Sequence, residues 1–185
     1  VCRIQGTDTV YYSAYDLRDA TAATLKNKTV ILQSDEVLSN EIYLSGKAFT
    51  LDLNGHSLKL KYGEGITPKN GSVIYVGGKN SKLTIKDSSE SQTGSVYGSE
   101  NNYQNKVTSA VRVGNYGKLV INGGKYYGRS EGTSCIFVCT SRASATYATV
   151  TINGGYFETA TPSNGTYFVL NHEDSATTSC KITVN

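Results

Sequence analysis

Methionine is absent from the 185 residues, and the chain starts at Val1. That is expected of a mature secreted product whose signal peptide has been removed, or of a trimmed chain. No apolar run approaches the roughly 18 residues that a membrane-crossing helix needs, so no membrane span is expected. Charged residues make up only 18% of the chain and the formal net charge is +3. No run of Lys and Arg reads as a nucleic-acid footprint, so nucleic acid is not expected as a partner. Four cysteines, Cys2, Cys135, Cys139 and Cys180, show no CxxC spacing and no neighbouring histidine, which argues against a zinc site. Cys135 and Cys139 sit four apart in a stretch read as a strand, about 13 Å at strand rise, which is beyond disulfide reach. That removes one of the three possible pairings; Cys2, Cys139 and Cys180 are taken as the candidate disulfide residues, and cysteine usage favours an oxidising compartment, extracellular or at a cell surface.

What is abundant is glycine (19 residues) and tyrosine (14), with much Asn, Ser and Thr. That composition suits an all-β chain with many turns. The stretch KLVINGGKYYG (118–128) recurs thirty-one residues later as TVTINGGYFET (149–159). LDLNG (51–55), LTIKD (83–87) and ITVN (182–185) fall into the same series, with anchors at Leu53, Ile85, Ile121, Ile152 and Val184. Upstream of each anchor lies a second apolar triplet: IYL (42–44), IYV (74–76), VRV (111–113), IFV (136–138) and FVL (168–170). A third series follows at Leu58, Val96, Tyr126 and Phe157. Each period therefore holds three short strands with alternating apolar residues, separated by Gly/Asn/Ser turns. Repeats of this length signal stacked units. The reading is a parallel β-helix over 29–185, right-handed by the preference of parallel crossovers, with about five three-stranded coils. The preceding segment, 1–28, is expected to hold one helix near 14–24, N-capped by Ser13, covering the open end of the stack.

The residue after each anchor is Asn54, Lys86, Asn122, Asn153 and Asn185. Asparagine tolerates the left-handed conformation of a sharp corner, and stacked Asn side chains can bond along a column. These four asparagines are read as a structural column.

Residues 29–60, TVILQSDEVLSNEIYLSGKAFTLDLNGHSLKL, resemble the opening coils of secreted, cell-surface right-handed parallel β-helix repeat proteins of the pectate-lyase-like superfamily. The resemblance implies the β-helix fold and one of several roles: polysaccharide lyase or hydrolase, adhesin, or structural protein. Hydrolysis on this fold needs carboxylates converging from neighbouring strands, roughly 5 to 9.5 Å apart, and a calcium-assisted lyase needs several oxygen ligands together. The outward positions supply neither. Beside the anchors they are Asp52, Thr84, Val120, Thr151 and Thr183; in the third series, Lys59, Tyr97, Tyr127 and Glu158. Asp52 and Asp87 are read as corner residues of different columns, His56 as a turn residue, and His172 with Glu173 and Asp174 as a loop. No catalytic residue, metal site or cofactor is assigned.

The upstream series places Tyr43, Tyr75, Arg112, Phe137 and Val169 outward in one ridge. Aromatic rings at strand spacing serve for sugars or for another chain. The expected function is a non-enzymatic structural or surface β-solenoid, with polysaccharide or a second copy of itself as partner. Self-assembly would be head-to-tail: the strand row ending at Asn185 would accept residues 1–12 of a neighbour, and a Cys2–Cys180 disulfide would join two subunits. A cut from a longer solenoid is the other reading of that end.

Overall fold

The computed structural model describes residues 1–60, 71–98, 109–128, 134–139, 147–159, 168–173 and 179–185, with Cys139, residues 168–173 and residues 179–180 described by backbone only. The strands are β1 (Cys2–Ile4), β2 (Val10–Tyr11), β3 (Thr29–Leu32), β4 (Glu36–Leu38), β5 (Ile42–Ser45), β6 (Ala48–Asp52), β7 (Ser57–Leu60) and β8 (Ser72–Gly77). They continue as β9 (Lys82–Lys86), β10 (Ser95–Tyr97), β11 (Ser109–Val113), β12 (Lys118–Gly128), β13 (Ser134–Cys139), β14 (Tyr147–Thr159), β15 (Phe168–Glu173) and β16 (Ser179–Val184). The protein is all-β in character, and from β3 onward every strand pairing is parallel.

The strands fall into three rows. The first is the sheet β5-β8-β11-β13-β15. The second runs β3-β6-β9-β12-β14-β16, and the third β4-β7-β10-β12-β14; β12 and β14 are long enough to serve both, so these rows merge into one sheet. Alternation fixes which side chains point inward. Ile42, Ile74, Val111 and Ile136 stack in the first row, and Leu58, Val96 and Tyr126 in the third. All of these are buried and belong to one hydrophobic core shared by the rows. Tyr126 is fully buried and its hydroxyl is satisfied by donating to the Gly123 carbonyl, 3.0 Å away.

In the second row the inward column is Val30, Leu51, Ile85, Ile121, Ile152 and Val184. Leu53, expected in it, is displaced by two positions: Leu51 pairs with Ile85, and Asp52 with Lys86. Both leucines of LDL are buried, because a two-residue slip keeps each side chain on its face. Leu53 instead fills the corner below Gly94 and Gly124; a Cβ at either glycine would lie within 2.8 Å of its side chain. Val184 is in the register expected for it but is 69% exposed.

The corner chemistry also differs from expectation. Only Asn54 of the asparagine column adopts positive φ (48°), followed by Gly55 (81°). Asn122 and Asn153 stay in extended strand, and Gly124 (90°) and Gly155 (127°) take the left-handed turn instead, since glycine does so without steric cost. The amides of the upper three do stack: Asn185 Nδ2 donates to Asn153 Oδ1 (2.6 Å), and Asn153 Nδ2 to Asn122 Oδ1 (2.7 Å). Asn54 donates to the Leu32 carbonyl at 3.0 Å.

The N-terminal segment does not form one helix over 14–24. A 3₁₀ helix covers Ala14–Arg18 and a single α-turn Ala22–Leu25. Ser13 caps the first in a full capping box with Asp16, and Thr21 caps the second, so the cap-forming Thr21 restarts the chain where a continuous helix would run. Ala14, Leu17 and Leu25 are buried, the 3₁₀ helix lying against β2, β4 and β5 and the α-turn against β6. The Glu36 carboxylate, which stands in the third-row column below Leu58, accepts hydrogen bonds from Ser13 Oγ (2.7 Å), the Ala14 amide (2.8 Å) and the Val1 ammonium (2.9 Å). β1 pairs antiparallel with β3 and with β2 inside the same chain. Residues 2–4 are thus paired on both sides within the chain.

Candidate binding face

Tyr43, Tyr75, Arg112 and Phe137 occupy successive positions on the outer side of the first row. The next position is Asn171, not Val169, because Ile136 pairs with Leu170, again a two-residue slip within an apolar triplet. The rings of Tyr43 and Tyr75 stack with centroids 5.1 Å apart and planes 6° apart, and Arg112 lies over Phe137 at 4.8 Å. The Tyr75 ring packs over two glycines: a Cβ on Gly77 or Gly114 would come within 2.5 or 2.0 Å of its hydroxyl oxygen. Glycine at these places is therefore what makes room for the ring.

Stacking has a chemical consequence. A ring sandwiched between neighbours presents its edge outward and has no face left for a ligand. Tyr43 is the lowest ring of the ladder, 38% exposed. Tyr43 lines a cleft of ≈ 230 Å³ together with Tyr15, Arg18, Asn40 and Glu41. Tyr15 and Arg18 come from one turn of the 3₁₀ helix, three residues apart, and Asn40 and Glu41 from the residues entering β5. The Arg18 guanidinium lies 4.4 Å from the Tyr15 ring centre, donates to the Tyr15 hydroxyl, and forks onto Asp19 at 2.9 and 2.8 Å. The hydrogen bond from Arg18, opposed by partial desolvation, holds the Asp19 carboxyl below its usual range. Lys47 is buried behind this turn, donating to the carbonyls of Leu17 (2.8 Å) and Arg18, and burial lowers its pKa. The cleft thus joins one open aromatic face to hydrogen-bonding groups of both kinds. Among the described residues Glu41 is its single carboxylate, where glycoside hydrolysis requires a pair.

The other sequence-derived candidates are placed as follows. Asp52, read as an outward corner residue, is 2% exposed. Its Oδ1 accepts from the amides of Asn54 (3.1 Å) and Ser88 (3.0 Å), and its Oδ2 faces Lys86 Nζ at 3.0 Å. Asp87 accepts from the amides of Gly55, Ser89 and Gly94 and from Ser89 Oγ. Both carboxylates are buried and tie corners together. His56 lies in the Asn54–Gly55 turn, its Nδ1 3.5 Å from the exposed Asp35. In the third row, Lys59, Tyr97, Tyr127 and Glu158 are in register. Tyr97 and Tyr127 stack at 4.6 Å, Lys59 Nζ lies 4.5 Å from the Tyr97 ring centre, and Tyr156 donates to Glu158 at 2.6 Å. Cys2 is a buried free thiol facing the core opposite Leu32, its pKa pushed up to about 12 by burial and then by Glu36. Cys135 is likewise free and buried, bonded to the Glu158 carbonyl. The side chains of Cys139, Cys180, His172 and Glu173 and the whole of Asp174 lie outside the described residues. Among the described residues no three His, Cys, Asp or Glu side chains gather as metal ligands, and no helix is long and apolar enough to cross a membrane.

Tyr15, Arg18, Asn40 and Glu41 were not singled out by the sequence reading. The available signal was the pair Tyr15/Arg18, whose spacing of three puts both on one side of a helical turn. No protein-family model, no curated protein and no solved structure matches the chain.

Proposed function

We propose that the chain is a right-handed parallel β-helix and acts as a non-enzymatic extracellular surface module that binds carbohydrate in the cleft at the foot of its aromatic ladder. Three observations support the helical coil: the chain visits the first, second and third rows in that order, equivalent strands are parallel, and their inward columns share one core. Right-handed crossovers are the strong rule for such connections. The observation that carries the function is the unstacked face of Tyr43, set beside Tyr15, Arg18, Asn40 and Glu41. A sugar ring has an apolar face for the tyrosine and equatorial hydroxyls for guanidinium, amide and carboxylate. Among the described residues the cleft holds one carboxylate rather than a pair, which favours binding over turnover.

The test is a panel of neutral oligosaccharides titrated against the protein, read by tyrosine fluorescence, which tryptophan does not mask because the chain has none. Saturable quenching that is lost in Tyr43→Ala and kept in Tyr127→Ala supports the reading. Equal binding by both variants removes it. Release of unsaturated or reducing sugars from polygalacturonate would replace it with a lyase or hydrolase.

A further inference from the structure

The outer side of the second row carries a different chemistry from the aromatic ladder. Register places Ala48, Lys82, Lys118, Thr149 and Lys181 in one outward column. The adjacent outward column is Thr29, Thr50, Thr84, Val120, Thr151 and Thr183. All three lysines are exposed and the threonines are half-buried. The third column begins with Asp52, which Lys86 neutralises, and continues with the exposed amides of Asn122, Asn153 and Asn185. From these placements we infer that this face binds a polyanionic polysaccharide, one bearing sulfate or carboxylate groups along its length.

The argument starts from an electrostatic cost. Lys82 and Lys118 stand directly opposite on neighbouring strands, about 4.8 Å apart at the backbone. Like charges so placed disfavour the sheet. Among the described residues none of the three lysines makes an ion pair, and the one acidic residue of the face is already matched. A net charge of only +3 on the whole protein makes this concentration a local property. The repeat returns a lysine to one column on three of the four strands β9, β12, β14 and β16, and spreads positive charge over about 14 Å, three strand steps.

A second observation locates the anion. A groove of ≈ 260 Å³ at the lower end of the face is lined by Asn27, Ala48, Phe49, Thr50, Lys82 and Thr84. Among the described residues it offers an ammonium, two hydroxyls and an amide, and no carboxylate. These are the donors an oxyanion needs. Single-stranded nucleic acid is the less suited polyanion, because its binding depends on aromatic platforms, and the three outward columns contain no aromatic residue.

The inference does not rest on the Tyr43 cleft, and the experiment separates them. Dextran sulfate, polygalacturonate, neutral dextran and a single-stranded oligodeoxynucleotide are titrated against the full chain at low and at physiological salt. Dextran sulfate or polygalacturonate should bind, whichever anion is preferred, with affinity falling as salt rises. The double variant Lys82→Gln/Lys118→Gln should lose on the order of tenfold in affinity with a melting temperature no lower than the parent's, since the like-charge repulsion is relieved, and Tyr43→Ala should bind as the parent does. Binding of neutral dextran as tight as that of dextran sulfate would overturn the inference. So would parental affinity in the double variant, or tighter binding of the oligonucleotide than of either polysaccharide.

Discussion

Asp87 shows how much one carboxylate organises. Its two oxygens take hydrogen bonds from Ser89 Oγ and from three backbone amides, including Gly94 at 2.6 Å and Gly55 at 2.8 Å. Desolvation is the largest influence and pushes its pKa up, but the hydrogen bonds from Ser89, Gly55 and Gly94 together outweigh it, and the net shift is downward. A carboxyl whose folded pKa lies below its unfolded value stabilises the fold above the ordinary carboxylate range, and that contribution is lost as pH falls through the lower, folded value. The melting temperature should accordingly drop on acidification below about pH 4, and Asp87→Ala should flatten that part of the profile while costing about 1–3 kcal/mol at neutral pH. An unaltered acid limb in the variant would assign the effect elsewhere. The sequence placed Asp52 and Asp87 at corners but in different columns; the hydrogen-bonding loop Ser88–Gly94 that buries them both is a tertiary fact with no periodic signal. Gly114 gives the complementary probe of the ladder. Its backbone accepts an alanine, since its φ is not positive, but the new Cβ would meet the Tyr75 hydroxyl. Gly114→Ala should swing the Tyr75 ring off the sheet at a cost of about 1 kcal/mol or less, and carbohydrate binding should fall through loss of the support under Tyr43. Parental sugar affinity in this variant would separate the cleft from the ladder.

Elements were legible where alternation and register agreed, and slipped where two apolar residues competed for one place. LTIKD, LVING and VTING contain one inward pair each, and Ile85, Ile121 and Ile152 stack as expected. LDLNG continues its alternation into the corner, so Leu51 and Leu53 are equivalent in pattern and only the pairing of β6 with β9 distinguishes them. FVL before Asn171 slips for the same reason. Period two hides a slip of two. The helix was misjudged differently: Ala14, Leu17, Ala20 and Ala23 suggest one amphipathic run, but Asp19 closes the first turn and Thr21 caps the second. What holds the first turn down is Lys47, from the β5–β6 corner, whose ammonium satisfies the carbonyls of Leu17 and Arg18. Replacing Lys47 by Ala leaves those acceptors without it in a nearly closed site. Hydrogen exchange should accelerate across 14–25 while β8 to β12 keep their protection, with a loss of about 1–3 kcal/mol. Uniform acceleration through the core strands would show instead that the turn and the core open together.

At the scale of the whole molecule the proposed β-helix makes stability a sum of contacts between neighbouring strands of each row, so position along a column should matter more than residue type. Ile121 and Val184 test this, because both belong to one inward column of the second row. Ile121 is fully buried, flanked above and below by Ile152 and Ile85, and one row across from Val111 and Tyr126 in the same core. Aspartate there would place an unpaired charge among hydrocarbon on every side, where ionisation and neutralisation are both unfavourable. Val184 is 69% exposed, and an aspartate in its place keeps its water. Ile121→Asp should therefore abolish the cooperative thermal transition, a loss above about 4 kcal/mol, whereas Val184→Asp should stay within about 0.5 kcal/mol of the parent. Circular dichroism melts of the two variants side by side decide it. A folded Ile121→Asp would mean that the second row does not face the shared core, and the coil proposed from these rows would fall with it; equal damage from Val184→Asp would mean that the column is covered at β16 in solution, which sedimentation would detect as association of copies.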